Sequence, residues 1–293
     1  MTMSTPLGGP AKPSRLMDRL RLAMRARHYS PRTETAYLSW VRRFILFHGK
    51  RHPTALGAAD VNAYLAYLAS SKGVSASTQN QALSALLFLY RDALEVPLGD
   101  LGDVVRARRP TRLPVVLTRA EVRDVLRELH GVCALMAALL YGSGLRLLEC
   151  CRVRVKDLDV ERGELVVRRG KGDRDRVTRL PVRLREPILK HREGVKVQHQ
   201  WDLAHGAGSV ALPGALGMKY PSAPWEWSWQ WVFPATRLYR DRATGRRRRH
   251  HLHESVLQRA FKEAVRRSRI SKRASCHTLR HSSLRIDSRP DRV

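Results

Sequence analysis

Four stretches in the first hundred residues repeat apolar side chains at helical spacing. Between Arg15 and His28, Leu16, Leu20, Ala23 and Met24 fall on one face, the pattern of an amphipathic helix. Ser30-Pro31 reads as an N-cap followed by proline at the first helical position. The helix it opens carries Tyr37, Trp40, Val41, Phe44 and Ile45 along one stripe. Val61, Tyr64, Leu65 and Leu68 repeat that spacing, as do Leu83, Leu86, Leu87 and Tyr90. Short loops between four such helices predict a compact all-α bundle over residues 15–95. The aromatic stripes are expected to be core, not base-stacking platforms. The Gly/Pro-rich residues 1–14 are expected to form a disordered tail.

Periodicity lapses over residues 96–117, VPLGDLGDVVRARRPTRLPVVL, where prolines and glycines break helix. Arg106, Arg108, Arg109 and Arg112 make this linker cationic. It either stays solvated or lies along a phosphate backbone between two DNA-gripping modules. A second domain is expected over 118–293. It opens with T-R-A-E from Thr118 to Glu121, a capping box, and a further helix follows from Val132 to Tyr141. The β-branched segments Glu164–Arg168 and Arg176–Leu180 flank RRGKGDRD and predict a hairpin. Helical pattern returns over Leu184–His199 and Glu254–Arg269. Between them, Val210 to Arg249 has no clear period and holds Trp225, Trp227, Trp229, Trp231 and a run of four arginines.

Composition narrows the function. The chain has 293 residues, 43% of them hydrophobic, enough for one large or two ordinary domains with real cores. Lys and Arg number 55 against 26 Asp and Glu, a formal charge of +29, which points to a polyanionic partner. Nucleic acid is favoured over an anionic membrane, because no basic amphipathic helix with a Trp/Phe/Leu face and no lipidation signal is present. The longest apolar stretch, Val132 to Tyr141, is too short to span a bilayer, and MTMSTPLGGPAKPSR lacks the apolar core of a signal peptide. No membrane partner and a cytoplasmic location are therefore expected. Cys133, Cys150, Cys151 and Cys276 show no C-x-x-C spacing and read as buried or idle thiols. His250, His251, His253 and Cys276 fit no standard metal spacing, so no metal is expected.

Three fragments carry candidate chemistry. YGSGLRLLE places Arg146 just after a glycine-containing break in an apolar helix. RRGKGDRDR sets Lys171 between glycines at a hairpin tip, where its ammonium can swing into a groove. HTLRH places His277 and Arg280 one helical turn apart on the same face. Phosphoryl transfer on DNA needs groups that neutralise the non-bridging oxygens, for which an arginine fork is suited. It also needs an acid for the leaving alkoxide. Two arginines, a histidine and a mobile lysine supply both without metal, although each residue alone is equally consistent with a solvated surface cation.

In this order the fragments resemble the tyrosine recombinase, or phage integrase, family, and within it the integron integrases. The resemblance runs from about Leu16 to Ser282 and is carried by RARHYSPRTETAYLSWVRRFILFHGKRHP, STQNQALSALLFLYR and VKDLDVERGELVVRRGKGDRDRVTRLP. A fourth stretch, ALPGALGMKYPSAPWEWSWQWVFPATRLYRDRATGRRRRHHLHESVLQRAF, occupies the place of the insertion that marks integron integrases, here about 201–250. The resemblance implies an N-terminal four-helix SAM-like core-binding bundle. It also implies a mainly helical catalytic domain with a small β-sheet, C-terminally incomplete in this chain. It implies that Arg146 and Arg280 clamp the scissile phosphate, that His277 assists charge and proton balance, and that Lys171 is the general acid. No cofactor is implied, since a 3′-phosphotyrosyl intermediate conserves the phosphodiester energy. The implied partners are a double-stranded platform site, folded single-stranded cassette sites, and other protomers of a synaptic tetramer. Trp229, His250 and His251 are candidates to hold extrahelical bases, with structural packing the alternative.

In the family, HTLRHS continues through an apolar helix to a glycine–histidine pair and then the nucleophilic tyrosine. Here Ser282 is followed by SLRIDSRPDRV. The eight tyrosines are Tyr29, Tyr37, Tyr64, Tyr67, Tyr90, Tyr141, Tyr220 and Tyr239, and none follows Arg280. The remaining cations can stabilise an attack but cannot make one. The expectation is a recombinase by descent whose 293-residue chain does not recombine DNA unaided and assembles a synaptic tetramer poorly. The alternative is a non-catalytic DNA-binding protein that competes for attachment sites. A nuclease reading is weaker, because no acidic cluster resembles a metal site.

Overall fold

The computed structural model describes residues 16–99, 113–168, 174–242 and 244–287, with side chains through residue 283. It divides into two compact units, Met1–Arg112 and Leu113–Val293. The expected tail and the four linker arginines lie outside the described residues, as does Lys171.

The first unit is helical. Its elements are α1 (Leu16–Ala26), α2 (Pro31–Phe47), α3 (Ala58–Ser70) and α4 (Ala76–Phe88). Ser30 caps α2 by accepting the Thr33 N–H, and Ser75 caps α4 by accepting the Thr78 N–H, each satisfying an otherwise orphaned donor. A π-helical turn, Leu89–Leu94, extends α4 and ends at Glu95 in a left-handed conformation. The predicted stripes meet in one core: Leu20, Met24, Val41, Phe44, Val61, Tyr64, Leu86 and Tyr90 are all buried. Phe44 and Tyr64 rings pack at 5.5 Å, edge on face.

The second unit is mixed but mainly helical. It runs through α5 (Arg119–Arg127), α6 (Gly131–Gly142) and α7 (Leu147–Cys151) to the strands β1 (Leu158–Asp159), β2 (Glu164–Val167) and β3 (Arg176–Arg179). It continues through α8 (Val182–Ala204), α9 (Leu216–Lys219), β4 (Pro234–Arg240), β5 (Arg247–His251), α10 (Glu254–Arg267) and α11 (Cys276–Asp287). The antiparallel order β1-β2-β3 forms one sheet and β4-β5 a separate ribbon. Thr118 and Glu121 form the expected reciprocal capping box on α5. The apolar helix α6 is the hub: Met136, Ala137, Leu139 and Leu140 are buried among Leu257, Phe261 and Leu279 of α10 and α11.

Two features depart from the sequence pattern. Helix α8 runs five residues past His199 and tolerates Pro187 in its first turns. The unpatterned stretch before α10 contains the β4–β5 ribbon, whose alternation was hidden because neither face is broadly apolar.

Two buried tyrosines of the first unit make opposite predictions. Tyr90 donates its hydroxyl toward the carbonyls of Pro53 (2.9 Å) and Leu56 (3.1 Å), whereas the Tyr64 hydroxyl is buried without a hydrogen-bond partner among the described residues. Tyr90→Phe should cost about 1–2 kcal/mol in urea unfolding, while Tyr64→Phe should be neutral or stabilising. Equal losses from both would refute this account of the core.

Candidate active site

Arg146 owes its position to a tight local path. Gly144 has φ +59°, a left-handed turn that ends α6. A Cβ on Gly142 would collide with the Pro181 ring. Arg146 then sits at the N-cap of α7, and Glu149, three residues on, folds back to accept its backbone N–H at 2.7 Å. The same carboxylate accepts the Arg146 side chain at 2.7 Å.

Glu149 is also the meeting point of two distant elements. Arg176, from β3, binds it through both Nη atoms at 2.9 and 2.6 Å, a fork-on-carboxylate geometry. Arg280, from α11, brings Nη1 to 3.5 Å from Glu149 Oε2. That contact is within ion-pair range but is not a hydrogen bond, and Arg280 Nη1 is buried with no hydrogen-bond partner among the described residues. One carboxylate therefore faces three guanidiniums, and one buried donor is left unsatisfied.

The charge states follow. Burial alone would push the Glu149 carboxyl up, but the bonds from Arg176 and then Arg146 bring it down to about 2. Burial, and then the nearby Arg146, lower Arg280 from its ordinary value, with Glu149 opposing. His277, in the first turn of α11, is held below the usual histidine range by burial and then by His281, Arg280 and Arg146. Its ring stands 4.7 Å from that of His281, edge on. Helix α11 is pinned from behind: Leu279 is fully buried, and Ser282 Oγ accepts the Leu117 N–H at 2.9 Å while donating to Thr278 O at 2.8 Å.

Arg146, His277 and Arg280 thus come together, and Lys171 belongs to the β2–β3 connection outside the described residues. The sequence reading missed Glu149 and Arg176. Glu149 had a local signal, an acid three residues after an N-cap. Arg176 had none, because only tertiary packing brings β3 to α7.

The candidates Trp229, His250 and His251 lie in a second cluster. Trp229 is half-buried, with Lys156 Nζ 2.9 Å from its ring centroid. His250 is exposed, 6.1 Å from both the Trp231 and Tyr239 rings. His251 is buried, its Nδ1 bonded to Leu252 O, and burial pushes it down to about 4. Arg154 bonds the carbonyls of Trp229 and Ala211 and lies 3.8 Å over the Trp231 ring. Burial lowers Arg154 to about 10. Among the described residues there is no metal-suited group of three His, Cys, Asp or Glu. No described helix is long and apolar enough to cross a membrane. Cys150, Cys151 and Cys276 are buried free thiols.

A helical bundle is followed by a mainly helical unit in which two guanidiniums and a histidine converge at α7 and α11. Residues 16–100 match the N-terminal SAM-like domain of phage integrases and residues 116–286 match the phage integrase family, so the chain belongs to the phage integrase family of tyrosine recombinases. An integrase/recombinase of Escherichia coli is 46% identical over 281 residues, covering 96% of this chain and 83% of that protein. Tyrosine recombinase XerA of Thermococcus kodakarensis is 30% identical over 190 residues, covering 62% of this chain and 63% of its own. The fold is shared with a lambda integrase (75–356) dimer bound to a COC′ core site, at TM-score 0.60 and 17% identity, covering 92% of this chain and 87% of that one. It is shared also with the Tn1549 transposon integrase in complex with transposon right end DNA, at TM-score 0.60 and 16% identity, covering 94% and 88%.

Two outcomes test the site. In the folded chain Glu149 titrates near about 2 rather than the ordinary 4.5, so its contribution is complete above the unfolded value and is lost as pH falls from about 4.5 toward 2. That contribution is on the order of 3 kcal/mol. Glu149→Gln should lower urea-unfolding stability at pH 7 by about 3 kcal/mol, and the gap from the parent should narrow between pH 5 and pH 3. A pH-independent gap would refute the charge argument. Burial and the neighbouring charges favour the neutral form of His277 in the free chain, and a bound phosphate would raise its pKa. DNA affinity should therefore rise as pH falls from 8 to 6, and His277→Gln should remove part of that rise in fluorescence anisotropy. An unchanged pH profile in the variant would exclude His277 from the phosphate.

Proposed function

We propose that the chain is by descent a recombinase of the integron integrase type that binds attachment-site DNA in the cytoplasm without metal or cofactor, and that these 293 residues by themselves do not exchange strands. The observation that carries the phosphate part of this reading is the unsatisfied, buried Arg280 Nη1 beside Arg146, Arg176 and His277. A phosphodiester placed there would give Arg280 an acceptor and give the three guanidiniums the negative charge that Glu149 alone does not supply. In this reading Arg146 and Arg280 hold the non-bridging oxygens, His277 balances charge and protons, and Lys171 protonates the departing 5′ hydroxyl. The attacking group in such chemistry is a tyrosine hydroxyl, and strands rejoin when a second 5′ hydroxyl displaces it. The linker residues Arg106, Arg108, Arg109 and Arg112 would follow the DNA backbone.

The integron-type assignment rests on the insertion between α8 and α10. There the exposed His250 and the half-buried Trp229 offer ring faces for extrahelical bases of folded single-stranded cassette sites, with the buried His251 supporting His250 at 3.9 Å between ring centroids. A double-stranded platform site and further protomers in a synaptic tetramer complete the proposed partners. A non-catalytic DNA-binding role, competing for attachment sites, is the second reading.

Covalent trapping of the 293-residue chain on a nicked, end-labelled attachment site tests the chemistry. The expected outcome is a shifted band in a native gel and no denaturation-resistant protein–DNA adduct. An adduct would mean that another residue attacks. Cleaved ends free of protein would mean water attacks, and absence of any shift would remove the DNA-binding reading.

A further inference from the structure

The β4–β5 ribbon carries seven arginines from Arg237 to Arg249 against a single acid, Asp241. Arg248 and Arg249 are neutralised within the fold. Arg248 Nη1 lies 2.9 Å from Asp241 Oδ2, and Arg249 is gripped by Asp202 at 2.6 and 2.7 Å. The four nearest the turn differ. Arg240, Arg242, Arg246 and Arg247 are exposed, and among the described residues none of them makes an ion pair.

Their placement works against the stability of the isolated chain. Arg240 and Arg247 stand directly opposite in the ladder, where like charges repel. The turn also holds the charges close together. Asp241 N–H donates to Arg246 O and Gly245 N–H to Asp241 O, both at 2.8 Å, and the Asp241 side chain accepts the Thr244 N–H at 3.0 Å. Gly245 supplies the left-handed φ of +67° that closes it. Arg240 Nε bonds Gly245 O at 3.1 Å, and the Arg246 guanidinium stands 5.0 Å from the Trp225 ring centroid. A held tip with four concentrated, uncompensated guanidiniums is suited to a repeating anion.

We infer that the tip of the β4–β5 ribbon, through Arg240, Arg242, Arg246 and Arg247, is a contact surface for the phosphate backbone of duplex DNA. The inference rests on the DNA-binding reading above. A two-stranded ribbon is of a size that enters a duplex groove, and guanidinium forks match phosphate oxygens on either wall. The contact positions the chain on the duplex without reading bases.

Salt dependence tests it, because each phosphate neutralised adds about 0.9 to the slope of log Kobs against log salt on duplex DNA and about 0.7 on a single strand. Binding of an attachment-site duplex and of its single strand is measured for the parent and two fourfold variants. The tip variant is R240Q/R242Q/R246Q/R247Q. The charge-matched control, R127Q/R162Q/R266Q/R267Q, removes arginines already paired with carboxylates. The tip variant should lose up to about 3.6 from the duplex slope and the control less than about one. The turn-only variant R242Q/R246Q, which leaves the ladder untouched, should lose about half as much and serves if the fourfold change disturbs folding. Relief of the Arg240–Arg247 repulsion should leave the tip variant melting no lower than the parent at low salt.

Equal slopes for parent and tip variant would overturn the inference while leaving DNA binding intact. Equal losses in tip variant and control would also overturn it, by reducing the effect to net charge. A tip variant that keeps its duplex slope but loses binding to anionic lipid vesicles would assign the surface to a membrane instead. A parent that binds no DNA would overturn this inference together with the reading beneath it.

Discussion

A single carboxylate organises the candidate active site. Glu149 accepts the backbone and side chain of Arg146 and both arms of Arg176, and it lies within ion-pair range of Arg280. These contacts join α7, β3 and α11, so the arrangement of the cluster is set by one desolvated anion. Three guanidiniums would otherwise repel one another in a partly buried space where charge is poorly screened. Because Glu149 neutralises only part of that charge, the cluster retains a net positive field and an unsatisfied donor. In the proposed reading, that remaining positive charge is organised in advance for a phosphate.

The same principle of partial compensation recurs around the β4–β5 ribbon. Arg249 and Asp202 form a buried, bidentate pair, and Arg249 also donates to the carbonyls of Ala235 and Thr236. Arg154 anchors the tryptophan-rich segment through two carbonyls and the face of Trp231. The Asp202 pair consumes an inner cation of the ribbon, while the exposed Arg240, Arg242, Arg246 and Arg247 make no ion pair among the described residues. Burial arranges this basic surface: Asp202 sits where the buried Arg249 needs an acid, and the exposed arginines keep their charge.

Packing sets the stage for this chemistry more than local geometry does. Helix α6 buries Met136, Leu139 and Leu140 against α10 and α11, which fixes the helix bearing His277 and Arg280 relative to the one bearing Arg146. The Ser282 hydroxyl ties α11 to the chain entering α5 through Leu117. Lys272 reinforces that link by meeting Glu121 at 2.8 Å and the carbonyl of Val116 at 3.2 Å. The site residues are therefore held by apolar burial behind them and by charge in front.

What the sequence by itself determined is the set of features that depend on near neighbours. The apolar stripes of α2, α3 and α4, the caps at Ser30 and Thr118, the β2–β3 pairing and the turn spacing of His277 and Arg280 were all legible, because each is encoded within a few residues. The net charge of +29 raised the expectation of a polyanionic partner. Tertiary structure decided the rest. Arg176 and Glu149 are 27 residues apart, and Arg249 and Asp202 are 47 apart, separations over which no periodicity carries information. Burial likewise separated adjacent histidines, leaving His250 exposed and His251 enclosed, since alternate residues of a strand face opposite sides. Which cations are compensated and which remain free is a property of the packed fold, because only packing brings a particular acid within reach of a particular arginine.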